Sequence, residues 1–352
     1  MTTPTIHESA PAFLTPEFDP IGGSIKQRPE DFLVEEIPSV DPAGEGEHTY
    51  LFIEKTDRTT EDVARILARH FGVRRRDVGT AGRKDKRAVT RQVFSIHTPG
   101  KRPEDFPELR AKNVVVLWAD IHTRKLRAGD LRANRFSVRI RDVAPMRVLE
   151  ANKILGRLAR EGVPDYFGEQ RFGARGNNHA VALHMVREEW ADACRALVRP
   201  ADGAPEGDPF RAAFELASEG AYARAEEALP KSLTAERRLL GALASGATTE
   251  EAVDALPKKH VDFLFCALQS ALFNRVVHER LRDGTLTDAL AGDILFDHAT
   301  GECVTVENPE DEALKRRVAN LELSPTGPLV GPSCPMPAPG TRAREVEDRA
   351  QT

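Results

Sequence analysis

Cysteine is scarce in this chain: four in 352 residues, at Cys194, Cys266, Cys303 and Cys334. None forms a CxxC pair, which argues against a disulfide framework or a zinc site and favours small buried or incidental thiols. The histidines form no HExxH, and His179 and His184 do not share a helical face, so no metal site is expected. No apolar run approaches the roughly 18 residues of a membrane span. The opening "MTTPTIHESAPAFLTPEFDP" carries acids and prolines but no basic segment leading into an apolar block, so it does not read as a signal peptide. A cytoplasmic chain without membrane contact follows. Internal repeats are absent as well.

What is there describes an ordinary globular protein of about two domains. Hydrophobic residues make up 40% and charged residues 30%. The net charge of −5 argues weakly against a nucleic-acid partner until its distribution is considered. Between residues 65 and 91 the cations Arg65, Arg69, Arg74, Arg75, Arg76, Arg83, Lys84, Lys86, Arg87 and Arg91 face only Asp77 and Asp85. A second basic stretch, "RKLRAGDLRANRFSVRIR", runs from Arg124 to Arg141 with Asp130 as its one acid. Acids gather elsewhere, as between Asp283 and Glu312.

Residues 31–37, 48–55, 92–97, 114–121 and 135–141 alternate or run apolar as strands do. In the last, Phe136, Val138 and Ile140 share a face and Arg135, Arg139 and Arg141 take the other, suggesting a sheet with one basic side suited to nucleic acid. "TTEDVARILARHFG" reads as an amphipathic helix capped by Thr59 or Thr60, with Val63, Ile66, Leu67 and Phe71 on its apolar side. From Met146 the pattern turns helical. The apolar positions of "HVDFLFCALQSALFNRVVHERL" nearly encircle it, which predicts a buried core helix. "RPADGAPEGDP" (199–209) reads as a surface loop. Short strands return at "GDILFD" and "CVTVE", followed by a helix near 310–321, and the end is proline-rich and then wholly polar.

"GTAGRKDKRAVTRQ", residues 79 to 92, sets one acid, Asp85, among cations. A phosphate-binding GxxxxGK[ST] loop is excluded, because Gly82 is followed by Arg83, Lys84 and then Asp85, where a carboxylate would repel phosphate. Two readings remain for Asp85. It is an ion-pair partner on a solvated helix face, or it is a catalytic carboxylate whose neighbouring cations favour its charged form and recruit a polyanion. A carboxylate in that setting can act at the sugar of a flipped nucleotide, where glycosidic cleavage builds positive charge.

"AGRKDKRAVT" resembles the signature of the TruD family of tRNA pseudouridine synthases, whose Gly-x-Lys-Asp motif carries the catalytic Asp. "KQRPEDFLVEEI", "GEGEHTYLFIEK", "RKLRAGDLRANRF", "GVPDYFGEQRFG", "ALQSALFNRVVHERL" and "TGPLVGP" resemble further motifs of that family, in the same order. The resemblance implies an α+β fold: a pseudouridine-synthase-like mixed, mainly antiparallel sheet with flanking helices, plus a largely helical inserted domain. It divides the chain into a catalytic part at 1–160, an inserted domain at 161–325 and a return segment at 326–352, poorly ordered at its end. Members of that family continue with elements completing the catalytic sheet, so a catalytic domain lacking its C-terminal part is the expectation here.

The implied reaction isomerises uridine to pseudouridine in tRNA, at position 13 of the D-arm, by a monomer needing no cofactor and no metal. An RNA-binding protein that has lost catalysis with its C-terminus is the alternative. Carried over by position, Asp85 is the catalytic carboxylate and Lys84 supports its charge. Lys26, Phe32, Asn134 and Phe136 line the uridine pocket, the rings for stacking and Asn134 to meet a pyrimidine edge or hold Asp85. Phe32 and Phe136 also read as ordinary core residues. Arg74, Arg75, Arg76, Arg83, Lys86, Arg87, Arg124, Lys125 and Arg171 are candidate RNA contacts. The block Tyr166, Phe167, Gln170, Arg171 and Phe172 reads as RNA contact or as packing between domains.

Overall fold

The protein is described here by a computed structural model over residues 12–351. Its chain divides into two compact units, one formed by Asp19–Asn152 and the other by Met1–Phe18 with Lys153–Thr352.

The first unit is built on a mixed sheet. Strands β1 (Phe32–Pro38), β2 (His48–Thr56), β3 (Val78–Thr80), β4 (Val89–His97), β5 (Val114–His122) and β6 (Leu131–Val138) take the order β5-β2-β4-β1-β6, with β3 also on β4. Only β1 and β4 run parallel. β1 flanks the start of β4 through Leu33–Glu35, and β3 flanks its end from Phe94 onward. Sequence alternation finds every strand except β3, which is too short to show a period.

Helix α1 (Thr60–His70) joins β2 to β3. Thr59 caps it: its hydroxyl accepts from the Asp62 amide at 3.0 Å, and the Asp62 carboxylate accepts from the Thr59 amide at 3.1 Å. Val63, Ala64, Leu67 and Ala68 of α1 are buried with Leu51, Ile53, Phe94 and Ile96 of the sheet. On the other sheet face Tyr50 and Val93 pack with Ala81 and Leu126, and Phe52 stacks on Trp118. Strand parity on β2 is therefore strict: Thr49, Leu51, Ile53 and Lys55 point to the helix side and all are buried.

α2 (Val148–Glu161) leads out of this unit. The second unit holds α3 (Asn178–Val186), α4 (Trp190–Val198), α5 (Pro209–Ser218), α6 (Tyr222–Ala228), α7 (Thr234–Ala244), α8 (Thr249–Asp254) and α9 (Lys258–Arg282). A small sheet of order β8-β7-β9 follows from β7 (Ile294–Asp297), β8 (Cys303–Thr305) and β9 (Leu323–Pro325), with α10 (Glu312–Ala319) beside it and α11 (Arg342–Gln351) last. One core runs through the helices, including Val181, Leu197, Leu239, Leu240 and Leu264. α9 is exposed mainly in its first turns, where Phe263 and Phe265 stay partly exposed, and no residue from Ala267 to Leu281 is exposed.

Two expectations of domain layout change. The division falls at Asn152/Lys153 rather than 160/161, and residues after 325 group with the helical unit. The polar end is a helix: Ala343 and Val346 of α11 are buried, and Arg342 and Arg349 form ion pairs with Asp283 at the end of α9. A three-to-four-residue apolar spacing among many charges suffices to hold a short helix once a partner surface exists. Among the described residues no helix is long and apolar enough to cross a membrane.

Candidate active site

The loop from Ala81 to Ala88, between β3 and β4, carries Asp85, and it is held from beneath. Glu36 lies just past the point where β1 stops pairing with β4, and its Oε1 accepts from the Val93 amide at 3.0 Å, a donor no strand partner reaches. Its Oε2 takes the Lys84 ammonium at 2.6 Å, and both side chains are 5% exposed or less. The Lys84 amide donates to the Thr60 hydroxyl at 2.9 Å, that hydroxyl donates to Gln92, and Gln92 donates to the Gly82 carbonyl. Lys55 ends the inward row of β2. Its ammonium donates to the Asp85 and Arg58 carbonyls, each at 2.7 Å, and burial pushes its pKa down to about 8.

The loop's interior is thus polar and paired, while the Asp85 carboxylate faces out and is 44% exposed. Its hydrogen-bond partner is Lys26, whose ammonium lies 3.0 Å from Oδ1. The same ammonium sits 3.9 Å over the Phe32 ring, a cation–π contact. Lys26 holds a φ of 58°, left-handed backbone that costs a non-glycine residue on the order of 1 kcal/mol. The segment keeps that shape because Ser24 pairs both ways with the Arg141 backbone, and the Arg141 guanidinium grips the wholly buried Asp31 carboxylate through two bonds of 2.6 and 2.7 Å.

Phe136 lies opposite Val34 and Asn134 opposite Glu36 in the β1–β6 register, so both share the face that carries Phe32. Phe136 meets Phe32 edge-on with centroids 6.0 Å apart. At 56% exposure it is no core residue. Lys26 thus links the Asp85 carboxylate to the Phe32 ring face, and Phe136 packs against Phe32. Asn134 is on that face and exposed; among the described residues no hydrogen bond joins it to Asp85. Lys84 does not support the Asp85 charge directly as sequence suggested. Its ammonium is committed to Glu36, and Lys26 takes the expected place.

The cations separate into engaged and free. Arg74 pairs with Asp77, Arg75 with Glu61, and Arg124 with Asp130. Lys125 donates to the Arg76 backbone carbonyl, and Arg76 is exposed. Arg83, Lys86 and Arg87 are exposed and have no ion-pair partner among the described residues. In the helical unit Arg171 lies over the Phe167 ring at 5.1 Å, so this part of the block packs internally. The expected basic sheet face is instead an alternating row across four strands, Glu54–Arg91–Glu35–Arg135, with Arg91 clasped between the two acids. Cross-strand register places acids beside arginines that are remote in sequence.

Sequence reasoning missed Glu36, Lys55, Thr60, Gln92 and the Asp31–Arg141 pair as parts of this site. The signal for two of them was present: Lys55 and Glu36 occupy inward positions of alternating strands, where a charge needs a buried partner.

The family model described as tRNA pseudouridine synthase D (TruD) matches residues 12–350. A protein of Geobacter sulfurreducens named tRNA pseudouridine synthase D is 41% identical over 331 residues, which are 93% of this chain and 78% of that protein. One of the same name from Thermus thermophilus is 36% identical, over 96% of this chain and 75% of its own. The crystal structure of a putative tRNA pseudouridine synthase D from Methanosarcina mazei superposes with a TM-score of 0.83 at 25% identity, covering 96% of this chain and 79% of that one. Fold and relatives define an isomerase of the pseudouridine synthase class. The chain belongs to the TruD family.

Proposed function

We propose that this protein converts uridine to pseudouridine in tRNA, at uridine 13 of the D-arm, with Asp85 as the catalytic carboxylate. The observation that carries the reading is Asp85 itself: an exposed acid on a loop pinned from below, hydrogen-bonded to Lys26, which lies over the Phe32 ring that Phe136 packs against. A polyanion approaching through Arg83, Lys86 and Arg87 places a flipped nucleotide over this face, where the aromatic pair offers stacking surface and Asn134 a hydrogen-bonding group. Support for the substrate comes from the relatives, which are named tRNA pseudouridine synthase D.

Asp85 acts on the ribose as the bond between C1′ and N1 breaks. Uracil turns against the ring pair, C5 bonds to C1′, and a proton leaves C5 as N1 gains one, so the reaction is balanced without redox chemistry. Lys26 keeps the carboxylate oriented and exchanges its partner as the ring enters. Asp85→Asn should abolish pseudouridine formation while tRNA binding stays within a few-fold, read by carbodiimide modification and primer extension at uridine 13. Turnover in that variant would overturn the assignment. Modification at another uridine would retain the chemistry and move the position.

A further inference from the structure

Lys55 is wholly buried, and both of its acceptors are backbone carbonyls from separate segments: Arg58, directly before the cap of α1, and Asp85. Its row-mates Leu51 and Ile53 are apolar, and the polar Thr49 has its hydroxyl paired with Thr98 at 2.7 Å. Burying an ammonium is unfavourable unless its donors are used. What Lys55 achieves is local. By drawing the carbonyl of residue 85 inward, it turns the side chain of that residue outward, toward Lys26 and the Phe32 face. The Lys84–Glu36 pair holds the preceding side chain and makes no bond to the peptide after Asp85.

Resting on the reading of Asp85 as the catalytic acid, we propose that Lys55 is a positioning residue for it. Its ammonium ties the Asp85 and Arg58 carbonyls together and so sets the direction of the carboxylate. Lys55 touches no substrate, so its loss should appear in kcat and not in tRNA affinity.

The test uses the full chain. Lys55→Met keeps the shape of the side chain and removes the donors. It should lower single-turnover kcat by about 10- to 100-fold, the scale of a misplaced catalytic group, with tRNA Kd unchanged within twofold. In Lys55→Ala, added propylammonium should restore a measurable part of kcat, and tetramethylammonium, which has no N–H donor, should not. Should Lys55→Met fail to fold, Lys55→Gln, which keeps a donor of shorter reach, carries the same comparison of kcat with Kd. Wild-type kcat in a folded variant, equal loss in kcat and affinity, or rescue by both cations would overturn the proposal. If Asp85→Asn is inactive while Lys55→Met is not, only this inference fails; if Asp85→Asn turns over, the catalytic reading fails first.

Discussion

At the scale of single residues, the site depends on charges that are buried and paired rather than on the visible excess of cations. Removing one partner of the Lys84–Glu36 pair leaves the other charge without compensation in a site at most 5% exposed. Glu36→Leu is therefore expected to lower stability by about 3–5 kcal/mol, measured by urea unfolding. The double variant Glu36→Leu/Lys84→Met should regain only part of that loss, because the Val93 amide stays without its acceptor. Lys55 gives a pH signature of defined sign. Folding pushes its pKa from the ordinary lysine value of 10.5 down to about 8. Between these two values the unfolded chain binds a proton that the folded chain has released, so this residue makes stability rise with pH across that interval. Urea midpoints at pH 8 and pH 10 should show the increment in the wild type and its absence in Lys55→Met.

Among elements, α1 and the β1–β6 edge carry the site, and each has a local determinant. Thr59 closes the first turn of α1 through reciprocal bonds with Asp62, and Thr60 in that turn holds the Lys84 amide. Thr59→Ala should cost about 1 kcal/mol, seen as a lower urea midpoint. On the opposite sheet face the charge row is uneven. Arg91 bonds Glu54 at 2.8 Å and Glu35 at 3.1 Å, whereas Arg135 reaches Glu35 only at 3.4 Å and is 67% exposed. Arg91→Ala brings two acids to face each other across β4 and should lower the midpoint measurably. Arg135→Ala should change stability by less than about 0.5 kcal/mol.

For the whole molecule, the net charge of −5 conceals a small group of free cations at the site. Because Arg74, Arg75 and Arg124 are already paired with acids, the counterions released on RNA binding should come mainly from phosphate contacts of Arg83, Lys86 and Arg87. Replacing those three with Ala should flatten the slope of log affinity against log salt by about 2–3. Replacing Arg74, Arg75 and Arg76 should change it less. Filter binding of tRNA across a salt series reads both, and equal slopes for the two triple variants would count against this division.

Much of the fold was legible in sequence because strand alternation and helical periodicity are local properties. They located β1, β2, β5 and α1 nearly to the residue, while β3, three residues long, carries no period. Order and spacing of the motifs sufficed for the family and singled out Asp85, Lys26, Phe32, Asn134 and Phe136. Which cation serves Asp85 was not legible. Lys84 is adjacent in sequence, yet its side chain turns inward to Glu36, and Lys26 arrives from 59 positions away. The same holds for Asp31 and Arg141, 110 positions apart, and for the alternating row across four strands. Sequence by itself determined which residues alternate and which family they spell. Tertiary structure alone decided which charges meet, because hydrogen bonds and ion pairs act over about 3 Å in space, and strand register brings together residues that the chain holds far apart.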